Sequence, residues 1–178
     1  MKKLFYFIIV LIFGACSVTT EEKATATSST AMPDYATTTL SGKIGTDWTF
    51  QTGRMVVPSS SSGSYWYSMT NDNLSNACSS SYTGTSSNPK VTYSRADAPT
   101  AGETELSFTS GNVKTVTFYD GTTNYIVAKG KITIDTVTTT AVTGKMYAIS
   151  GTDTDHEING TFTLSRCCTS GSSYAICE

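Results

Sequence analysis

The densest cluster of charge in the chain is the segment Asp-Thr-Asp-His-Glu at positions 153–157. The carboxylates of Asp153, Asp155 and Glu157 occupy alternate positions and could converge on a calcium ion, because hard cations prefer oxygen ligands. An EF-hand loop requires glycine where this chain has Ile158, so the segment does not match that motif. We therefore interpret it as a polar hairpin tip and predict no metal site.

Two hydrolytic chemistries can be tested against the residues. A serine hydrolase needs a serine oriented by histidine, but His156 is the single histidine and no G-x-S-x-G elbow occurs. Glu103 and Glu105 could imitate the pair of catalytic carboxylates of a glycosidase. They share one face of a strand, in which the rise is about 3.3 Å per residue. Their position opposite Leu106 and Phe108, which we expect to face the core, favours a solvated edge. We predict no catalytic residue, no cofactor and a protein that is not an enzyme.

The segment Tyr65-Trp66-Tyr67 is the best candidate for ligand contact. Strand alternation places Tyr65 and Tyr67 on one face and Trp66 on the other, so one of the two sets must be comparatively exposed. Exposed aromatic side chains offer stacking surfaces for sugars or anchors for a protein partner. Packing in the core is the competing interpretation.

Apart from Cys16, the chain has four cysteines, an even-numbered set typical of an oxidising compartment: Cys78, Cys167, Cys168 and Cys177. A bond between adjacent Cys167 and Cys168 would close a strained ring, and neighbours on a strand project to opposite faces. One of them should therefore pair with Cys78 and the other with Cys177. Cys168 has the parity of Phe162 and Leu164, which favours it as the partner of Cys78. A zinc site is disfavoured because the set lacks a CxxC pair and only one histidine exists.

Alternation of large and polar side chains defines the elements that carry these residues. Trp48 and Phe50 share one face, Val116 and Phe118 precede an Asp-Gly turn, and 126–134 is predicted to be one long strand. About eight to ten short strands separated by turns predict an all-β domain. Uneven strands and serine-rich loops at 58–64 and 79–89 favour an antiparallel β-sandwich, stapled by disulfides. An up-and-down β-barrel is the alternative.

Composition limits the organisation and the partners of the chain. The 178 residues carry a net charge of −2 and form no stripe of lysine or arginine, so we do not expect the protein to bind nucleic acid. Residues 16–38 are almost entirely Ser, Thr, Ala, Glu and Lys, which cannot bury enough apolar area to offset ordering entropy. We predict a disordered tether over 16–38 and a folded β domain over 39–178.

The N-terminal segment has three parts: Lys2 and Lys3, the apolar run Leu4–Phe13, and Gly14-Ala15-Cys16. The run is too short to span about 30 Å of hydrocarbon, so residues 1–15 are predicted to be a secretory signal peptide. Phe13-Gly14-Ala15-Cys16 resembles the lipobox of bacterial lipoproteins, in which leucine usually stands at the position of Phe13. That resemblance implies cleavage before Cys16, diacylglycerol on its thiol and a fatty acid such as palmitate on its amino group.

The residue after the lipobox bears on the destination. In lipoproteins an aspartate at this position favours the inner membrane, so Ser17 implies the outer membrane, with the periplasmic or the surface side left open. An ordinary secreted protein, cleaved after Ala15 with Cys16 as a free thiol, is the alternative.

Several segments of the domain are similar to a group of small, uncharacterised lipoproteins of Gram-negative bacteria: 42–44, 47–50, 116–118, 130–134, 142–146 and 158–162 with Cys167. The resemblance implies an anchored β domain whose terminal strand is held by a disulfide, and it points to Cys167 as the partner of Cys78. We expect a lipid-anchored envelope protein that serves as a structural or interaction module. Its partners would be the membrane through Cys16 and an envelope protein or glycan. The alternative is a glycan- or small-ligand-binding module that uses Tyr65, Trp66 and Tyr67.

Overall fold

The computed structural model describes residues 31–79, 82, 87–151, 153–170 and 173–178. The predicted signal peptide, Cys16 and most of the predicted tether lie outside these residues. The described part contains β-strands and no helix. The strands are β1 (Ser41–Ile44), β2 (Thr46–Thr49), β3 (Thr52–Val57), β4 (Tyr65–Thr70), β5 (Lys90–Arg95), β6 (Gly102–Glu105), β7 (Ser107–Thr109), β8 (Asn112–Lys114), β9 (Val116–Tyr119), β10 (Asn124–Val127), β11 (Lys129–Val137), β12 (Ala141–Ser150), β13 (Asp153–Ser170) and β14 (Ser173–Ile176).

The predicted all-β class is confirmed. Most of the strands form one 12-stranded sheet that curls around the core, in the order β10-β9-β5-β4-β3-β13-β12-β11-β6, with β1 and β14 paired to β13 and β2 paired to β1. Strands β7 and β8 form a separate two-stranded sheet. The sequence left both a sandwich and a barrel open as the arrangement of the strands. In the structure the strands form one curled sheet and one small hairpin.

The long strand β13 organises the sheet. One of its edges pairs first with β1 and then with β3, while its other edge pairs first with β12 and then with β14. The pairing with β3 is parallel, whereas the other ladders are antiparallel. A parallel pair needs a long crossover connection, and here the chain between β3 and β13 supplies it. An exclusively antiparallel arrangement, as the sequence predicted, is therefore not found.

The core lies on the enclosed side of the curled sheet. Its largest fully buried side chains include Trp48, Tyr67 and Phe118. The predicted inward positions of Trp48, Phe50, Val116 and Phe118 are confirmed, since all four are buried. The indole nitrogen of Trp48 donates a hydrogen bond to the carbonyl of Pro89 at 3.0 Å, so this polar atom is satisfied inside the core.

The folded domain begins before residue 39, where the sequence placed its boundary. The backbone nitrogen of Ala36 donates to Asn159 Oδ1 at 2.9 Å, and Asn159 Nδ2 donates to the carbonyl of Asp34 at 3.0 Å. A side chain at Gly160 would place its Cβ 2.7 Å from the Thr38 carbonyl oxygen. Glycine at this position therefore lets the N-terminal segment lie against β13, which composition alone did not reveal.

Two predictions about strand faces are wrong. The predicted single strand over 126–134 is divided into β10, which pairs with β9, and β11, which pairs with β12 and β6. Ile126 is consequently 60% exposed while Val127 is buried. Phe108 is 65% exposed, although Leu106 two residues earlier is buried, because β7 leaves the curled sheet to pair with β8.

The cysteines form the bonds Cys78–Cys167 and Cys168–Cys177. The prediction that adjacent Cys167 and Cys168 have separate partners is confirmed, and Cys167 is the partner of Cys78, as the resemblance implied. The parity argument for Cys168 is wrong for a physical reason. Cys168 does share the parity of inward Leu164, but the chain around Cys78 crosses the outer side of the sheet. The register of β13 against β3 runs through Ser165–Cys168 without a shift.

A second cluster, of buried and half-buried side chains, lies on this outer side, and we call it the outer cluster: Arg54, Ala77, Cys78, Tyr82, Cys167 and Tyr174. The guanidinium of Arg54 lies between the rings of Tyr82 and Tyr174, at 4.4 and 4.9 Å from their centroids. It also donates to the carbonyls of Ala77 and Ser79. Cation–π contacts and charge-assisted hydrogen bonds thus attach Ala77, Ser79 and Tyr82 to the wall of the sheet.

Candidate functional site

The three aromatic residues predicted for ligand contact lie on two sides of β4. Tyr67 is 1% exposed on the enclosed side, Tyr65 is partly buried against the core, and Trp66 is 48% exposed on the outer side. Strand alternation produces this division, as the sequence predicted. Core packing therefore applies to the tyrosines, and the exposed aromatic surface is that of Trp66 alone.

The outer side around Trp66 is open. Its direct neighbours across the sheet are Val56 on β3 and Ser94 on β5. The next positions of the same row are Cys167 and, on β14, Ile176, which is 52% exposed. The indole of Trp66 is thus exposed on the outer side of the sheet. The disulfide Cys78–Cys167 cross-links the chain in the same row.

On the enclosed side, tyrosines surround an arginine that the sequence analysis did not single out. The rings of Tyr67 and Tyr93 are 5.2 Å apart, and Tyr65 is the direct cross-strand neighbour of Arg95. Burial raises the pKa values of Tyr67 and Tyr93, while the positive charge of Arg95 acts in the opposite direction. Within the described residues, Tyr67 Oη and Arg95 Nε are buried without a hydrogen-bond partner.

A cavity of about 230 Å³ opens beside this cluster, between the end of β5, β6 and the β7–β8 hairpin. Its lining residues are Tyr93, Ser94, Arg95, Ala96, Asp97, Thr104, Val113 and Lys114. Arg95 and Lys114 contribute positive charge and Asp97 contributes negative charge. The sequence does carry a signal for this site, because Arg95 follows Val91 and Tyr93 at the alternate positions of one strand face. The structure buries Val91 and Tyr93, so that face is the one directed to the core. A charged residue at a core-facing position marks a site that needs a partner or a function.

The histidine and its neighbouring charges lie elsewhere. β13 already begins at Asp153, so the predicted hairpin tip over 153–157 is wrong, and His156 is buried opposite Ile44. The His156 ring lies 4.0 Å from the ring of Tyr125, whose hydroxyl donates to Asp120 Oδ2 at 3.0 Å. A triad would instead have the carboxylate orient the histidine directly.

The Asp120 carboxylate has a structural role in the β9–β10 turn. Its Oδ1 accepts hydrogen bonds from the backbone nitrogens of Thr122 and Thr123, both at 2.8 Å, and these bonds lower the pKa of Asp120. This geometry is that of a side chain closing its own turn, so the aspartate of the predicted Asp-Gly turn is engaged locally.

Two of the carboxylates considered for metal binding or glycosidase chemistry, those of Asp155 and Glu103, are engaged in other contacts. Asp155 Oδ1 lies 3.4 Å from Lys43 Nζ. Glu103 Oε2 accepts a hydrogen bond from the Tyr35 hydroxyl at 3.2 Å, and both Glu103 and Glu105 are exposed, as a solvated edge requires. Over the residues that the structure describes, no group of three or more His, Cys, Asp or Glu side chains could hold a metal ion.

The comparisons give this chain no relative. Neither protein-family models, nor curated proteins, nor solved structures match it. The described residues also include no helix with the length and apolar character needed to cross a membrane.

Proposed function

We propose that this protein is a lipid-anchored component of the bacterial cell envelope whose β domain is an interaction module and not an enzyme. The observation that carries the proposal is the segment Phe13-Gly14-Ala15-Cys16 after a short apolar run. The disulfides Cys78–Cys167 and Cys168–Cys177 support it, because disulfides persist in oxidising compartments outside the cytoplasm.

The anchor would be the acylated Cys16. A diacylglycerol group and an N-linked fatty acid together meet the requirement of more than one chain for stable membrane attachment. Ser17 favours the outer membrane as the destination. In this proposal the protein belongs with the small Gram-negative lipoproteins that its domain resembles.

The interaction role rests on the construction of the domain. The disulfide Cys78–Cys167 and the rest of the outer cluster cover one wall of the sheet and leave Trp66 exposed next to them. A cross-linked wall loses little conformational entropy when a partner binds, which favours contact over chemistry. The partner class in this proposal is another envelope protein.

Metabolic labelling tests the anchor. Cells given a fatty-acid analogue should label the wild-type protein and the matched control Ser17→Ala, which keeps the cysteine. Cys16→Ala should lose the label and leave the membrane fraction. Equal labelling of Cys16→Ala, or an unlabelled wild-type protein, contradicts the proposal.

Glycan binding is the second candidate, and the 48% exposure of Trp66 favours it. An exposed indole can stack on the apolar face of a sugar ring. Trp66→Ala should then abolish binding to a panel of soluble envelope glycans, whereas Ile176→Ala, also exposed on the outer side, should retain it. Similar binding by both variants excludes the indole as the contact.

A further inference from the structure

The enclosed end of β5 places a cation where the alternation of the strand calls for an apolar side chain. Val91 and Tyr93 fill the inward positions before it, and Arg95 takes the next one. Among the described residues, no carboxylate lies within ion-pair distance of Arg95, and its buried Nε has no acceptor. Leaving a guanidinium donor unsatisfied is costly, so an anion that supplied the acceptor would be favoured there.

The remaining lining of the cavity adds to this preference. Lys114 from the β7–β8 hairpin brings a second cation, while Thr104 brings a hydroxyl group that can donate or accept. Asp97 offsets one positive charge, so the lining as a whole carries one net positive charge. This balance suits a ligand with one negative group and disfavours one with several.

We propose that this cavity binds the carboxylate of a small polar molecule, which Arg95 and Lys114 hold while Thr104 contacts the uncharged part. The planar guanidinium matches a carboxylate through two parallel hydrogen bonds. Tyr93 offers a ring surface beside the charged group. The volume of about 230 Å³ is below the usual range for drug-sized ligands, so the ligand is small.

This site is independent of the proposed interaction surface. Arg95 faces the enclosed side of the sheet, whereas Trp66 lies on the outer side. Loss of one function by mutation therefore leaves the other measurable. The lipid anchor at Cys16 has no part in the cavity, so failure of either proposal does not decide the other.

Ligand-observed NMR titration of the full chain in detergent tests the inference. The probes are acetate, benzoate and glucuronate, each paired with its uncharged counterpart: acetamide, benzamide and glucose. At least one carboxylate should bind with a millimolar or lower dissociation constant, and its counterpart about ten-fold or more weakly, since a charge-assisted hydrogen bond is lost. Binding of none of the three carboxylates, or equal binding of a carboxylate and its counterpart, overturns the proposal.

Variants locate the binding. Arg95→Gln should weaken carboxylate binding about ten-fold or more, and Arg95→Lys should give a smaller loss because it keeps the charge without the planar fork. The Arg95 variants could fail to fold, so a second variant is needed at an exposed position of the cavity lining. Lys114→Gln is that variant, and it should also weaken carboxylate binding. Lys129→Gln removes an exposed positive charge outside the cavity lining and should bind as the wild type does. Equal weakening by Lys129→Gln would show general charge screening and contradict the site.

Discussion

The two sides of the curled sheet are held by different forces. The enclosed side is a continuous apolar cluster in which Leu40, Ile44, Val91 and Leu164 are 0% exposed. The outer cluster instead contains an arginine between two tyrosine rings, with the disulfide Cys78–Cys167 beside it. An enclosed volume can be filled by burial of apolar area, whereas a loop on an outer wall has water on one side. The outer side therefore depends on covalent and directional contacts.

The segment around Tyr35 is a second covering of the outer side, and polar contacts and a cation–π contact attach it. The Tyr35 hydroxyl donates to Glu103 Oε2, while Thr133 Oγ1 donates to the Tyr35 hydroxyl at 2.9 Å and Lys131 Nζ lies 4.5 Å from the Tyr35 ring. This covering lacks a disulfide such as the one that holds the chain at Cys78. We therefore expect the core, the outer cluster and the segment around Tyr35 to make different contributions to the free energy of unfolding.

The disulfide Cys78–Cys167 should make the largest single contribution on the outer side. Its sequence separation of 89 predicts that the variant Cys78→Ala/Cys167→Ala loses about 4.5 kcal/mol of unfolding free energy in the chain-entropy model. The matched variant Cys168→Ala/Cys177→Ala opens a separation of only 9 and should lose about 3 kcal/mol. Chemical denaturation measures both. A larger loss from the short bond would show that loop closure is not the main contribution.

Truncation within the core should have the next largest effect. Leu164 is 0% exposed, so Leu164→Ala should lower the unfolding free energy by about 3 kcal/mol through lost burial and the cavity left behind. Thr163→Ala, at the exposed neighbouring position on β13, is the control and should change it by less than about 0.5 kcal/mol. Similar losses from both would remove the distinction between the two sides.

The smallest effect should come from the N-terminal covering and depend on pH. Burial raises the pKa of Tyr35 to about 12, above the usual value near 10. The folded state therefore favours the protonated phenol, and the stability linked to it is complete below about pH 10 and lost as the pH rises through about 12. Melting temperatures of the wild type should fall more steeply over that range than those of Tyr35→Phe. Parallel curves for the two proteins would contradict the assigned burial.

Local alternation accounts for what the sequence predicted well. The buried Trp48, Phe50, Val116 and Phe118 follow a period of two that does not depend on which strands become neighbours. The divided strand at 126–134 was not predictable in this way, because β10 and β11 change their pairing partners within a continuous apolar pattern. The parallel contact between β3 and β13 is likewise a long-range feature that no local pattern encodes.

The candidate sites show the same difference between local patterns, which the sequence reveals, and long-range contacts, which it does not. Tyr65, Trp66 and Tyr67 were recognised because three adjacent aromatic residues are conspicuous, and alternation assigned their sides. Arg95 lies in an ordinary strand, and its significance becomes apparent only when β6 and the β7–β8 hairpin bring Thr104 and Lys114 beside it. The partner of Cys78 depended on the side of the sheet that its loop crosses, which strand parity could not supply.

Mass spectrometry of the protein isolated from its native membrane tests the central claim most directly. The lipid-anchor account predicts an N-terminal peptide that begins at Cys16 and carries a diacylglycerol group and a fatty acid. A mature protein whose N-terminal peptide begins elsewhere, or contains an unmodified Cys16, would contradict it.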